Sequence, residues 1–592
     1  MQSKVFSLLK FSTRAIGFSV RENGRTLNSN LYYSSTSSFS TTSKVVVGST
    51  ADLNDGEFKS VQVGSKPEDT VILSKVKGKY YATGSKCPHY GAPFSMGLLF
   101  DDKLICPWHN AAFSVTNGSI EQGPIVDGIP TYPVHESKGQ LYIEVPQELV
   151  KGVQLPKTKR DPNDKRKFVI LGGGPTGLSA AETLRQAGYQ GQITLVSKEK
   201  DVAYDRVQLS KNIYGADING LTLRGPDFFK EYGIDLLKGA SASNIDPKAK
   251  TVDIEGGSPV KFDKLLIATG GRPRVPPIKG ANLKNIFTIR NYEDVLKIRE
   301  ASKDIKNVVV LGASFIGMEA AVATKSHFKD KVNVIVLDAN STPFERVLGP
   351  KIGSTLQKFS EKRGLKFALK TGIKSFEGTD KVEKVILSDG TELPADIVII
   401  GAGIQPNTEF ASNSLKLEKD GGIVVNSHLQ TSEPDIFAAG DIAWFPNKYL
   451  GQPTRIEHYS EAMNHGAIAA LNMMGKNIAH NGNPFFWAWV FELGMQYIGA
   501  GAGYDNIHIE GNVEDIDKLN FLAYYTKGDK ILSILSVGRI PTTIVYDMAM
   551  RHNVVPPLSE VKSGKVTLED IKKKITEKQG VNTCQRAECC RQ

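Results

Sequence analysis

The chain has 592 residues, 40% of them hydrophobic and 23% charged, with 56 glycines and only five cysteines. That length exceeds what one hydrophobic core organises, so three or four domains are expected, and so few cysteines exclude a disulfide scaffold. The formal charge of +10 is uneven: residues 1–44 hold six Lys/Arg and one acid, and the rest holds 67 basic against 62 acidic residues, too near neutrality for a nucleic-acid partner.

In chain order, the first 43 residues are rich in Ser, Thr, Arg and Lys and nearly free of acids. Val5, Phe6, Leu8, Leu9 and Phe11 can form one face of a short helix beside Lys4, Lys10 and Arg14. This is the composition of a mitochondrial transit peptide, expected over 1–43; an untargeted tail is the alternative. Short β-like runs between Gly/Pro turns predict a small all-β domain over 45–146. Residues 147–166 are polar, basic and Pro-containing, as an interdomain linker is. From 168 onward apolar strands alternate with helical stretches, the pattern of a parallel α/β architecture. One dinucleotide fold is expected over 167–300 and 426–478, with a second inserted at 301–425. An aromatic-rich α+β lobe follows at 479–577, and 578–592, with Cys584, Cys589 and Cys590, reads as a disordered tail rather than a lipidation site. No apolar run is long enough to span a membrane.

Within the all-β stretch, Cys87-Pro88-His89 is followed after sixteen residues by Cys106-Pro107-Trp108-His109. Each half supplies one thiolate and one imidazole from a tight turn. A Rieske [2Fe–2S] centre needs that split, two Cys on one iron and two His on the other. The competing Cys2His2 zinc site spaces as C-x2–4-C and H-x3–5-H, whereas here each half mixes the two residue types. The loops CPHYGAPFSMG and CPWHNAAFSVTNG resemble the Rieske ferredoxin family over 45–146. That resemblance implies an electron carrier of the soluble type, without a loop disulfide, whose His89 and His109 face solvent or a partner.

The strand 168–171 runs into Gly172-Gly173-Gly174-Pro175-Thr176-Gly177 and then a helix, so Gly172, Gly174 and Gly177 match G-x-G-x-x-G in strand–turn–helix context. Backbone N–H groups and the helix amino terminus can there meet a pyrophosphate. A second strand, 308–311, enters Gly312-Ala313-Ser314-Phe315-Ile316-Gly317, with Ser314 at the middle glycine position. Asp338, twenty-one residues after Gly317, can accept hydrogen bonds from a ribose 2′-hydroxyl and repel a 2′-phosphate, predicting NADH over NADPH. In the first fold Glu199 is the acid nearest the corresponding place.

The stretches YDRVQLSK (204–211), KLLIATGGRP (264–273), VIIGAGIQPN (398–407), TSEPDIFAAGDIA (431–443) and RIEHYSEA (455–462) resemble the two-dinucleotide-domain flavoprotein reductases, most closely the apoptosis-inducing-factor-like group. The resemblance covers 167 to about 560. It implies two Rossmann-like α/β domains of glutathione-reductase type, FAD and NAD(H) as cofactors beside the [2Fe–2S] cluster, and a carboxy-terminal α+β domain. It further implies that Ala268, Thr269 and Gly270 close against FAD, that Gly440 and Asp441 present a carboxylate to the ribityl chain, and that Arg206 and Lys211 contact FAD. Glu319 matches the acid beside the nicotinamide, and Trp487, in PFFW, is placed near the isoalloxazine.

Disulfide reductases of this superfamily keep a cysteine pair beside the flavin, and no cysteine lies between 107 and 583, so dithiol chemistry is excluded. The expected activity is therefore an FAD-dependent NAD(P)H oxidoreductase that passes electrons from NADH through flavin to its own cluster and on to an acceptor, a small molecule or a redox protein. Two alternatives stand beside it: a reductase component of an oxygenase or nitrite-reductase system, and a redox-vestigial apoptotic signalling factor. A mitochondrial location and a dimer are both compatible with this reading.

Overall fold

The computed structural model describes residues 42–578 apart from 202, 500 and 502. The transit-peptide expectation and the cysteine-rich tail lie outside the described residues.

The amino-terminal unit consists of three antiparallel sheets. Strands Thr42–Ser49, Gln140–Pro146 and Val134–Ser137 form one; a second is ordered Phe58–Gln62, Thr70–Val76, Lys79–Gly84, Thr131–Tyr132; the third is ordered Leu98–Phe100, Lys103–Ile105, Ala112–Ser114, Ile120–Gln122. Alternation along Thr70–Val76 and its neighbours puts Ile72, Phe94, Leu104 and Phe113 in one core. The third sheet carries the loops of interest at its ends.

Two parallel sheets follow with the same plan. The first is ordered Ile234–Lys238, Gln192–Ser197, Lys167–Leu171, Lys264–Ile267, Ile436–Ala438. The second is ordered Leu365–Leu369, Asn333–Asp338, Asn307–Leu311, Ile397–Ile400, Ile286–Thr288. Uninterrupted runs such as FVIL and VVVL suit strands covered on both faces. In each fold a three-stranded antiparallel sheet interrupts the chain before the fourth strand. The edge strand Ile286–Thr288 and the helix Tyr292–Ala301 pack with the second sheet, so the chain enters that sheet ahead of residue 301. The sequence signal there was too short to register: three residues of strand before a capped helix.

After the helix Tyr459–Met473, a five-stranded antiparallel sheet spans Phe485–Val490 to Lys530–Val537 and is backed by the helices Thr542–Arg551, Leu558–Lys562 and Leu568–Thr576. One apolar cluster joins this lobe to the third amino-terminal sheet: Leu98, Phe100, Ile105 and Ala112 lie with Phe485, Ile498, Tyr524 and Met548. The segment 147–166 is not a free tether. Val153 exchanges backbone hydrogen bonds with Gly128, Thr158 N–H donates to Arg185 O, and Asp161 N–H donates to Gln190 O. Lys157 is buried 3.3 Å from Glu182. The segment's other charged side chains largely face solvent, while Lys157 and the backbone tie it to the reductase body.

Candidate functional site

The turn after strand Lys79–Gly84 presents Cys87 and His89, and the hairpin Lys103–Ile105 to Ala112–Ser114 presents Cys106 and His109. Both turns are closed by their own backbone: Cys87 N–H donates to Ala92 O, Gly91 N–H to Cys87 O, and Cys106 N–H to Ala111 O. The Nδ1 atoms of His89 and His109 are 3.1 Å apart. Burial pushes His89 down to about 3, and burial with the charges of His89 and Lys211 holds His109 well below its usual range, so both imidazoles are neutral. The hydrogen bond with Cys106, then burial, pushes the Cys87 thiol up. Burial acts against Cys106, yet the bond from Cys87 and the N–H groups of His109 and Trp108 hold it down. Two buried sulfurs, two neutral imidazoles with convergent nitrogens and N–H donors at a sulfur are a donor set that fits a Rieske cluster.

The histidines do not face open solvent. Tyr90 stacks on His89 with ring centroids 3.9 Å apart, and Trp487 lies 4.2 Å from His109 and 6.0 Å from His89. The joint is latched around them. Tyr90 Oη donates to Asp205 at 2.6 Å, Gln496 Nε2 donates to Pro107 O and Trp108 O at 2.7 Å each, and Asn110 Nδ2 donates to Asp547 at 2.7 Å.

On the other side of Trp487 opens a cavity of about 1930 Å³, larger than a typical single-ligand site. Its wall includes Gly172, Gly174, Glu199, Arg206, Lys211, Ala268, Thr269, Gly270, Gly312, Glu319, Asp338, Asp441 and Trp487. Gly177, Gly317 and Gly440 lie behind that wall. A Cβ on Gly177 would stand 1.9 Å from Gly172 O, and one on Gly317 equally close to Gly312 O, so these glycines let helix and strand meet. Gly172, with φ of +121°, would set a Cβ 2.1 Å from Ala268 O, whereas Gly174 meets only the Arg206 guanidinium at 3.6 Å and leaves its backbone bare toward the cavity. No side chain caps the helix that starts there, Pro175–Gln186, so its first N–H groups are available to an anion.

Charged groups on the wall are paired across it. Arg206 bonds Glu199 at 3.0 Å and Arg290 O at 3.1 Å; Tyr204 Oη also donates to Glu199. Lys211 lies 2.7 Å from Glu319, which also accepts from Ser210 at 2.5 Å. Asp441 pairs with Arg290 at 2.9 Å. Asp338 accepts Ala313 N–H at 2.7 Å and so pins the second glycine turn, while its other oxygen accepts Asn340 N–H at 2.8 Å.

Sequence reasoning missed Arg290, which ties Asp441 to the Arg206–Glu199 pair, and a buried set behind Asp441. Gly440 N–H donates to His465 Nδ1 at 3.3 Å, which places that imidazole's proton on Nε2, 3.3 Å from Glu461. His480 Nε2 is 2.9 Å from the same oxygen. Glu461 closes the RIEHYSEA stretch, but Arg290, His465 and His480 carry no motif; Glu461 and His465 share the helix Tyr459–Met473 beneath the turn, and His480 follows it.

Two glycine turns opening on one cavity, sealed at one end by an aromatic ring against a Cys2His2 centre, define a flavin- and nicotinamide-dependent oxidoreductase joined to an iron–sulfur carrier. Residues 166–466 match the pyridine nucleotide-disulphide oxidoreductase family and residues 43–133 the Rieske [2Fe–2S] domain. Apoptosis-inducing factor 3 of Homo sapiens is 34% identical over 502 residues, covering 83% of this chain and 81% of the relative. Putidaredoxin reductase of Pseudomonas putida is 34% identical over 385 residues, 64% of this chain and 90% of its own. The crystal structure of the covalent putidaredoxin reductase–putidaredoxin complex superposes with a TM-score of 0.65 at 30% identity, covering 70% of this chain and 99% of that one. The chain belongs to the pyridine nucleotide-disulphide oxidoreductase family, in the Rieske-bearing branch represented by apoptosis-inducing factor 3. It is an FAD-dependent NAD(P)H oxidoreductase with a Rieske [2Fe–2S] centre, and its work is electron transfer.

Proposed function

We propose that the chain takes electrons from NADH in the large cavity and hands them past Trp487 to its own Cys2His2 centre, from which an external small molecule or redox protein withdraws them. When bound, the flavin supplies conversion of a two-electron donor's reducing power into single electrons, and the cluster supplies a one-electron station. The observation that carries this reading is Trp487: one ring lines the dinucleotide cavity and stands 4.2 Å from His109.

Residue roles follow from position. Gly172, Gly174 and Gly177 form the FAD pyrophosphate cradle, with Glu199 at the ribose and Arg206 and Lys211 as further contacts. Ala268, Thr269 and Gly270 close against FAD, and Gly440 turns Asp441 toward the ribityl chain. Gly312, Gly317 and Asp338 hold NADH, with Glu319 beside the nicotinamide, its carboxylate oriented by Lys211 and Ser210. Cys87 and Cys106 ligate one iron, His89 and His109 the other. The layout is of glutathione-reductase type: a Rieske unit at 45–146 and a strap at 147–166, an FAD fold at 167–285 and 426–478 around an NAD fold at 286–425, and the reductases' third domain at 479–577. The strand and helix of 286–301 count with the NAD fold whose sheet they join. Residues 1–43 direct the chain to mitochondria.

Rapid anaerobic mixing with NADH tests the relay. Flavin absorbance should bleach first and the reduced-cluster EPR signal should follow at a rate independent of protein concentration. In Trp487→Leu the bleaching should persist while the EPR phase slows on the order of tenfold or more, as displaced redox partners do. A cluster that stays oxidised beside fully bleached flavin in the unmutated protein refutes the relay and favours a signalling role.

A further inference from the structure

A second cavity, of about 870 Å³, lies where three parts of the chain meet: the hairpin that carries Cys106 and His109, the segment 446–449 with 476–483, and the terminal lobe. It shares no wall residue with the dinucleotide cavity, and its volume is that of a small-molecule site. Its charge is one-sided. Lys103, Lys448, Lys476, Lys530 and Arg551 line it against two carboxylates, Asp529 and Asp547.

Both carboxylates are already satisfied by the protein. Asp529 accepts Ser559 N–H at 2.7 Å and its hydroxyl at 2.6 Å. Asp547 accepts from Asn110 at 2.7 Å, and from Asn483 and Arg551 at 3.0 Å each. Among the described residues neither Lys448 nor Lys476 enters an ion pair, and Lys530 lies over the Tyr449 ring, 5.6 Å from its centroid. The same wall holds buried polar atoms with no partner: Asn447 Nδ2, Asn110 Oδ1 and His552 Nε2. Asn447 Oδ1 is occupied by the N–H groups of Tyr449 and Leu450, which leaves its amide nitrogen as a donor without an acceptor. Buried donors without acceptors are rare because each forfeits its hydration. Surplus cations beside such a donor ask for an anion.

We propose that this cavity binds a small organic polyanion bearing at least two carboxylate or phosphate groups. A single charge would leave most of the lysines unanswered, and Ile105, Ile531 and Met548 give a ligand body apolar walls. The ligand bridges all three parts. It therefore ties the iron–sulfur hairpin, whose Lys103 lines the cavity, to the reductase body, and makes the joint responsive to that ligand.

The test is calorimetric titration of the FAD-loaded full chain with excess NAD+ filling the dinucleotide cavity. Citrate is the probe in one arm and inorganic pyrophosphate in the other, with sodium chloride matched for ionic strength. Saturable binding of one probe molecule per chain is expected, with a raised unfolding temperature. Citrate binding alone assigns a carboxylate ligand, and pyrophosphate alone a phosphate ligand. The double variant Lys448→Glu/Lys476→Glu, with its FAD content unchanged, should weaken binding by about tenfold or more as attraction becomes repulsion. Absence of saturable heat in both arms, equal affinity in the double variant, or displacement by further NAD+ overturns the proposal.

Discussion

Asp338 fixes the backbone of the second glycine turn and, in the proposed function, also sets nucleotide specificity. It pins Ala313 N–H in the second glycine turn, and a carboxylate oxygen has lone pairs left for a ribose hydroxyl. Asp338→Ala should weaken NADH binding by about five- to a hundredfold, the worth of roughly 1–3 kcal/mol for a lost bond, and narrow the gap to NADPH. Titration of each nucleotide measures this, and equal affinity of the unmutated protein for both would remove the premise. Such acids are legible because the glycine motif fixes where to look. His465 is not: a histidine in MNHG becomes meaningful only once the fold sets its ring under Gly440. His465→Leu leaves Gly440 N–H without its acceptor and should loosen FAD by a similar factor, measured by fluorescence of released flavin. Acid should weaken the fold itself nearby. Burial lowers His458, on the cavity wall, from its ordinary 6.5 to about 4, although Glu461 and Asp441 pull the other way. The native state thus excludes a proton that the unfolded chain takes up, so stability is full above about 6.5 and falls as pH drops toward 4. Thermal unfolding across that window should show the decline, and His458→Asn should make it shallower, the other buried histidines keeping the rest.

Among elements, strands and helices with strong periodicity were legible, as were the two glycine turns and the ligand turns. The packing of segment 147–166 was not legible, because polarity alone does not tell water from a buried charge partner such as that of Lys157. Lys157 belongs to a buried set in which Arg224 lies 2.7 Å from Asp127 of the amino-terminal unit and 2.9 Å from Glu182 of the first Rossmann helix. Burial raises Asp127 above the usual carboxylate range, with Arg224 acting against it, so the guanidinium is what makes this carboxylate tolerable. Arg224→Leu should destabilise the protein by roughly 3–5 kcal/mol, as breaking one side of a buried pair does. Limited proteolysis should then cut within 147–166 before any other site. Resistance equal to that of the unmutated chain would mean the strap is held elsewhere.

In the whole molecule, an interdomain linker at 147–166 implies that the amino-terminal domain stands apart, and the structure has cores that share a face. Composition cannot reveal this, because Leu98, Phe100 and Ile105 look like ordinary strand residues until Phe485, Ile498 and Met548 cover them. The reductase body made without residues 1–146 should expose that patch and associate, visible as a raised mass in light scattering. A monodisperse monomer would argue that the patch closes on itself.

The shared face also decides how the electron route answers to salt. A reductase that meets a separate carrier through surface charge loses its encounter rate as ions screen the approach. Here the encounter is already complete: Trp487 and His109 are neighbours behind apolar side chains, with the Tyr90–Asp205 bond at the rim. Raising ionic strength should leave transfer between the two centres unchanged while slowing only the exit to an external acceptor, which must approach a centre whose flavin-facing side its own chain occupies.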